Sequence, residues 1–239
     1  MNRKLIVAVV IAIIAVAGVG VGVGWWYHSD RGRFTTAPVF TGLDRSVSGN
    51  ELISDHDPAA VLRFDPAFHY LGGQKFILYG VASVEQHFFV ETTAVDKLKS
   101  VYWVQYESYL PGKPYQYDYE DSPLRVTLNG HEFYADTAVI HFDPAIQRQK
   151  GTDGAMVRQF LASHGYAYPD DFVYARLVWL VDDSHQKELM IIFIDDLSTY
   201  GFTAADLEES GAHAFRRPDI EKAHLARIQD TLSILPLSP

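Results

Sequence analysis

The sequence predicts an α+β fold: a curved antiparallel β-sheet of hairpins, packed with two or three helices and preceded by one N-terminal transmembrane helix. Three observations lead to this prediction. An uncharged apolar run, Leu5–Tyr27, opens the chain. Short runs rich in β-branched and aromatic residues follow, joined by turn signals such as Asn129-Gly130, which indicate hairpins. Two later segments carry apolar residues at helical spacing. Hairpins alternating with helices, without crossovers, are typical of α+β domains.

The apolar run Leu5–Tyr27 is long enough to cross a membrane. As an α-helix it extends over about 34 Å, whereas the hydrocarbon core of a bilayer is about 30 Å thick. Arg3 and Lys4 precede the run, and the aromatic residues 25–27 close it. Basic flanks stay in the cytoplasm and aromatic rings prefer the interface. We therefore predict a single-pass inner-membrane protein, with residues 1–4 in the cytoplasm and the folded domain in the periplasm.

Two further features of the run affect this prediction. Ala15-Val16-Ala17 has the small-x-small form of a signal-peptide cleavage site. The apolar run continues beyond this site, which favours an uncleaved anchor. Gly18 and Gly22 have the spacing that lets two membrane helices approach closely, so they are candidates for a homo-oligomeric contact.

The composition narrows the range of partners and chemistries. The net charge is −10, and residues 29–239 contain all 30 acidic residues and 18 of the 20 basic ones, which gives this part −12. Such a field repels nucleic acids, so no nucleic-acid partner is expected. The absence of cysteine excludes disulfides, a thiolate nucleophile and a cysteine zinc site.

The rest of the chain is predicted to be a linker followed by one domain. Residues 28–60 are rich in Gly, Ser, Thr and Asp, which is typical of a linker, and only their second half is a candidate for order. Residues 61–239 form the single extracytoplasmic domain. Asp57-Pro58 indicates the start of a short helix at Ala59–Phe64.

The first half of the domain is predicted to consist of strands. Pro111–Pro114 is a turn between aromatic-rich runs, and Asn129-Gly130 is the strongest of the hairpin signals. The predicted strands are Phe76–Val81, Val84–Glu91, Val101–Leu110, Tyr115–Glu120, Arg125–Leu128, His131–Tyr134 and Ala138–Phe142.

The second half is predicted to contain a central hairpin between helices. A helix is expected at Asp153–His164, stopped by Gly165. Phe172–Val181 and Glu188–Asp195 are apolar on both faces, as central strands are, and form the core hairpin. A capping box starts a short helix at residues 203–206. Pro218 opens the last helix, with apolar residues at helical spacing: Leu225, Ile228, Leu232 and Leu235.

The hairpin around Pro111–Pro114 carries the candidate binding site. With symmetric closure, one face carries tyrosines and is predicted to be core: Tyr102, Tyr106, Tyr115, Tyr117 and Tyr119. The other face mixes aromatic rings with amides and carboxylates: Trp103, Gln105, Glu107, Tyr109, Gln116, Asp118 and Glu120. Such a face suits a sugar, a peptide or an amine. We select Trp103, Gln105, Glu107, Tyr109 and Asp118 as the binding residues. The alternative is an ordinary solvent face with one helix lying across Trp103.

No known catalytic motif is present in the sequence. It lacks the Gly-x-Ser-x-Gly elbow, a phosphate-binding glycine loop outside the apolar run, and the helical zinc motif, so neither a metal nor a cofactor is expected. The leading hypothesis is a membrane-anchored envelope protein that binds a small ligand or a protein partner and catalyses nothing. One alternative is a membrane-anchored hydrolase that uses Glu107, Asp118 and His131. The other is a structural component of an envelope complex.

Overall fold

The described part of the chain folds into two antiparallel sheets and a few helices, so the architecture is α+β and mostly sheet. The structure is a computed structural model that describes residues 39–40, 42–93, 97–143 and 152–237. The predicted membrane helix Leu5–Tyr27, with Gly18 and Gly22, lies outside these residues. Among the residues that are described, no helix combines the length and apolar character needed to cross a membrane.

The larger sheet has eight strands in the order β1-β5-β6-β7-β11-β10-β9-β8, and the smaller sheet has four in the order β12-β4-β3-β2. The strands are β1 Val39–Phe40, β2 Ser46–Ser48, β3 Glu51–Ser54, β4 Ala60–Phe64, β5 His69–Leu78, β6 Ala82–Thr92, β7 Leu98–Tyr109, β8 Leu124–Leu128, β9 His131–His141, β10 Asp171–Leu180, β11 Lys187–Asp196 and β12 Leu232–Leu235.

Three α-helices and two 3₁₀ helices complete the described part of the chain: α1 Asp153–Ser163, the 3₁₀ helix Leu197–Tyr200, α2 Ala204–Leu207, the 3₁₀ helix Ala214–Arg216 and α3 Arg217–Thr231. The predicted helix signals lie at these boundaries. Thr203 and Asp206 form a reciprocal capping box at the start of α2. Pro218 lies in the first turn of α3, where backbone N–H groups have no acceptor within the helix. The missing N–H of proline therefore costs no hydrogen bond there.

Two of the predicted hairpins are confirmed. Asn129 and Gly130 have φ angles of 50° and 87° and connect β8 to β9, as a type I′ turn requires. The predicted core hairpin is β10 and β11, in which Val178 pairs with Met190. Alternate residues of both strands belong to core clusters on the two faces of the larger sheet, such as Leu177 and Ile191 on one and Val178 and Ile192 on the other, which explains why neither strand alternates between apolar and polar residues.

One face of the larger sheet packs against the smaller sheet and α3. Tyr102 and Phe193 stack with ring centroids 4.2 Å apart in this core. Leu62 and Phe64 of the smaller sheet and Ile228 of α3 are buried in the same cluster. Burying one such side chain contributes about 1.5–3 kcal/mol, so this interface accounts for a large part of the stability.

The opposite face of the larger sheet packs against α1. Val157 and Leu161 of α1 are buried with Phe88, Trp103 and Ile192 of the sheet. This agrees with the alternative that a helix lies across Trp103. The helix covers one end of the face, and a row of polar side chains continues toward the other end.

Three predictions of secondary structure were wrong. Ala59–Phe64 was expected to be helical, but Ala60, Leu62 and Phe64 are buried at every second position of strand β4. Period-two burial in the core between the sheets, with pairing to β12, outweighs the local helix signal of Asp57-Pro58. The last helix was expected to include Leu232 and Leu235, but these residues form β12 beside β4.

The third wrong prediction concerns residues 115–120. They were expected to form a strand paired with β7, but they form no strand. Both edges of β7 are already occupied, because β6 pairs with one edge and β11 with the other. A third strand cannot pair with β7, and the segment after Pro111 crosses the face of the sheet instead.

The boundaries of the predicted linker and the number of sheets also differ from expectation. Residues 28–60 were assigned to a linker, but Ser46–Ser48 and Glu51–Ser54 form β2 and β3. The folded part therefore begins before residue 61. A single sheet was predicted, whereas the chain forms two, because β2, β3, β4 and β12 pair among themselves and pack on the face of the larger sheet.

Candidate functional site

A row of glutamine side chains crosses the face of the larger sheet that α1 covers. The Gln74 Nε2 donates to Gln86 Oε1 at 2.7 Å, and the Gln86 Nε2 donates to Gln105 Oε1 at 2.7 Å. The side chains come from the neighbouring strands β5, β6 and β7. Gln86 and Gln105 are fully buried, so these bonds replace the water that both amides lose on folding.

The row of glutamines ends at a carboxyl group. The Gln105 Nε2 donates to Glu107 Oε2 at 2.7 Å, and the Trp103 indole donates to Gln105 Oε1 at 3.0 Å. Alternate residues of a strand share a face, so Trp103, Gln105 and Glu107 lie in one line along β7. Tyr109 continues the same line. The structure thus brings together four of the five predicted binding residues, but Trp103 and Gln105 are buried rather than on an open surface.

Glu107 faces a second carboxyl group, that of Glu188. The two residues are register partners on β7 and β11, and Glu188 is 2% exposed. Burial, followed by the charge of Asp153, raises the pKa of Glu107 to about 7. Burial, followed by the charge of Glu107, raises the pKa of Glu188 to about 8. At neutral pH the pair therefore retains protons that exposed glutamates would have lost.

Two tyrosines cover the carboxyl pair. The Tyr117 hydroxyl donates to Glu107 Oε1 at 2.9 Å, and the Tyr119 hydroxyl donates to Glu188 Oε2 at 2.8 Å. Burial, followed by the charge of a neighbouring glutamate, raises the pKa of both phenols well above the ordinary value, so both remain donors. Tyr109 stacks on Tyr117 with centroids 4.4 Å apart at the partly exposed end of the row.

Asp118 does not join this site. It is exposed, and its Oδ1 accepts the Glu120 backbone N–H at 3.1 Å. The predicted faces of residues 115–120 are reversed: Tyr117 and Tyr119 point to the carboxyl pair, whereas they were expected on the core face. The symmetric hairpin that defined those faces does not form, so its alternation does not apply.

His131 also lies away from Glu107. It begins β9 and contacts the Trp179 ring at a centroid distance of 4.2 Å. Phe133, two residues along the same strand, belongs to the core on the opposite face of the sheet from Glu107. The set Glu107, Asp118 and His131 is therefore not assembled. Nor does any group of three or more His, Asp or Glu side chains converge as metal ligands in the described ranges.

Glu188 was not among the predicted site residues. Glu188 precedes the apolar run of β11. The predicted hairpin of β10 and β11 indicates only that this residue lies opposite Leu180. Its position beside Glu107 depends on β7 being the other neighbour of β11. No local pattern specifies that pairing, so the sequence offered no signal for this site residue.

Other buried charges are compensated. Glu85 accepts the backbone N–H groups of Asp44 and Arg45 and lies 2.8 Å from His87 Nε2. Asp195 accepts from His224 at 3.0 Å and also pairs with Arg227. The Glu107–Glu188 pair differs from both, because neither carboxyl forms an ion pair with any residue that the structure describes.

Comparisons with protein-family models, with curated protein sequences and with solved structures gave no match to this chain.

Proposed function

We propose that this protein is a membrane-anchored binding protein of the cell envelope, and that its folded part binds the cationic group of a small ligand at Glu107 and Glu188. One observation carries the proposal: two facing carboxyl groups, Glu188 buried and Glu107 partly buried, form no ion pair in the described part of the chain, and only the charge of Arg176 acts on Glu188 from nearby. Like charges at this separation oppose ionisation, whereas a bound cation favours it in both groups. A cationic ligand would therefore form favourable electrostatic interactions with the carboxyl groups, which these groups do not have in the free protein.

Aromatic rings at the exposed end of the row support a cation of organic type. Tyr109 lies between Tyr115 and Tyr117, with centroid distances of 5.6 and 4.4 Å. Tyr115 is 49% exposed, so its ring is accessible from solvent. Ring faces attract ammonium groups, and the effect is stronger where water is excluded. Carboxyl groups beside partly exposed phenol rings suit a protonated amine on an apolar body.

The binding test uses full-length protein in detergent and two probes of similar shape, benzylamine and benzyl alcohol. Isothermal titration calorimetry should detect binding of the amine but not of the alcohol. Glu188→Gln removes one charge and keeps the shape, so amine affinity should fall by at least about tenfold. Glu132→Gln, an exposed residue of β9, is the matched control and should leave the affinity unchanged. Equal binding of both probes, or an unaffected Glu188→Gln variant, would contradict the proposal.

The membrane anchor is part of the same proposal. The uncharged run Leu5–Tyr27 supports a single-pass helix in the inner membrane, and Arg3 and Lys4 support a cytoplasmic N-terminus with a periplasmic domain. Gly18 and Gly22 support pairing of two such helices. The full chain should stay in the membrane fraction after alkaline carbonate washing. Recovery of a soluble chain that lacks its first residues would indicate a cleaved signal peptide instead.

A second candidate function is hydrolysis at the same carboxyl pair. Directly opposed strand residues have Cβ atoms about 4.5–5.5 Å apart, and retaining glycosidases hold their two carboxyl groups about 5–5.5 Å apart. A pKa near neutrality also suits a general acid. Release of nitrophenol from nitrophenyl glycosides, abolished by Glu107→Gln, would favour an enzyme. Equal rates for wild type and a Glu107→Gln/Glu188→Gln variant would exclude this pair as the catalytic carboxyls.

A further inference from the structure

A cleft of about 530 Å³ lies at the end of the larger sheet opposite the Glu107–Glu188 pair. Its walls come from the start of β7, the end of β11, the start of β10, the connection 165–170 and the start of α2. Small-molecule sites typically measure about 300–1,000 Å³, so the cleft has the size of one. Lys97 lines it, and β7 separates that residue from Glu107 by roughly 33 Å. The cleft is therefore a separate site.

The cleft is lined by Lys97 on one side and by Asp170 and Asp171 on the other; Asp196 lies on β11 between them and accepts the Ser198 backbone N–H at 2.8 Å. Lys97 precedes β7, whereas Asp170 and Asp171 lie at the start of β10. The strand order β7-β11-β10 places them two strand spacings apart, which is roughly 10 Å. Lys97 forms no ion pair with the residues that the structure describes. Asp171 bonds His141 Nδ1 at 2.8 Å through one carboxylate oxygen.

Aromatic rings form the apolar part of the cleft. Tyr166 and Tyr168 come from the connection after α1, and Phe202 comes from the segment before α2. All three are partly exposed, and Tyr168 is fixed by an edge contact with Phe142 and a tilted contact with Phe172, each with ring centroids 5.7 Å apart. Rings held in this way provide a pre-formed surface for an apolar group.

We propose that this cleft binds a small zwitterion that carries an ammonium group and a carboxylate, such as an amino acid or a short peptide. Lys97 binds the carboxylate, and Asp170 and Asp171 bind the ammonium group. The rings of Tyr166 and Phe202 contact the apolar side chain. The strands that carry these charges are roughly 10 Å apart, which is of the order of the length of an amino acid or a dipeptide with a hydrogen bond of about 3 Å at each end.

The test compares three probes on the full chain: glycyl-phenylalanine, its N-acetylated form and its C-terminal amide. Calorimetry should show that the free dipeptide binds at least about tenfold more tightly than either capped form. Lys97→Met should abolish the preference for a free carboxylate, and Asp170→Asn should weaken the preference for a free ammonium group. Lys222→Met, on the exposed side of α3, is the control and should have no effect.

Two cross-tests distinguish binding in this cleft from binding at the carboxyl pair. Glu188→Gln should leave dipeptide binding unchanged, and Lys97→Met should leave benzylamine binding unchanged. Equal affinity for the free and capped probes, no binding at millimolar concentration, or an unaffected Lys97→Met variant would each overturn the proposal.

Discussion

Glu107 on β7 and Glu188 on β11 are direct register partners, and each accepts a hydrogen bond from a tyrosine of the segment that crosses above them. Ionising either carboxyl makes ionising the other harder, because the two charges would lie close together in a site with little water. The two groups therefore titrate as a pair. This coupling connects the fold of the larger sheet to the proposed binding of a cation.

Glu188→Gln is expected to flatten the pH dependence of stability between about pH 5 and pH 8. Burial raises the pKa of Glu188 from 4.5 to about 8, so the folded state retains a proton that the unfolded state has lost. The free energy of unfolding therefore falls as pH rises through this window, by at most about 1.4 kcal/mol per pH unit for one group. Urea unfolding at several pH values measures the slope. Glu132→Gln should keep the wild-type slope, and an unchanged slope in Glu188→Gln would contradict the assigned burial.

Tyr119→Phe should destabilise the protein more in alkaline than in acidic solution. The Tyr119 hydroxyl donates to Glu188 and favours its ionised form, which predominates only above about pH 8. Loss of a hydrogen bond to a charged group lowers the free energy of unfolding by about 1.5–3 kcal/mol. Thermal unfolding at about pH 6, where Glu188 is mostly protonated, and at about pH 9, where it is mostly ionised, compares the effect of the substitution on the two forms. Tyr115→Phe, whose ring is 49% exposed, is the control. Equal losses at both pH values would show that the bond does not depend on ionisation.

The sequence predicts those parts of the fold that depend on neighbouring residues. The turn at Asn129-Gly130, the central hairpin and the capped helix α1 all follow from local signals. Strand β4 does not, because its pairing with β12 joins two distant segments. Long-range pairing converts Leu232–Leu235, which has helical spacing with α3, into a strand.

Gln105→Leu should be among the more destabilising substitutions in this protein. The Gln105 side chain accepts from Gln86 and Trp103 and donates to Glu107, and it is fully buried. Leucine leaves these groups without partners, and each unsatisfied buried group costs about 1–3 kcal/mol. We expect the free energy of unfolding to fall by more than about 3 kcal/mol, measured by urea unfolding followed by tryptophan fluorescence. Gln116→Leu, at an exposed position, should change it little. A comparable loss in both variants would contradict the role of the glutamine row.

Asp195→Asn should destabilise the packing of α3 against the larger sheet. Burial alone would raise the pKa of Asp195, but the hydrogen bond and charge of His224, with the charge of Arg227, hold it below 3.8. Its contribution is therefore fully present above about pH 3.8 and is lost as pH falls through the lower folded-state pKa. Breaking a buried ion pair costs about 3–5 kcal/mol. Urea unfolding at neutral pH checks this loss against Asp183→Asn, an exposed control. A loss below about 1 kcal/mol would show that the network contributes little.

The candidate site could be predicted only in part, for a physical reason. The alternation of β7 places Trp103, Gln105 and Glu107 in one line, and this line is present. Whether it faces solvent depends on α1, and whether Asp118 or Tyr117 approaches it depends on a segment without regular structure. The partner carboxyl of Glu188 depends on strand order. These are properties of tertiary packing, which the local sequence does not determine.

A carbon-13 NMR titration of the Glu107 and Glu188 carboxyl groups, assigned with Glu107→Gln and Glu188→Gln, tests the carboxyl pair most directly. We expect midpoints near pH 7 and pH 8 in the free protein, both shifted to lower pH by benzylamine. Midpoints near the ordinary value of 4.5, unaffected by the amine, would contradict the proposed cation site.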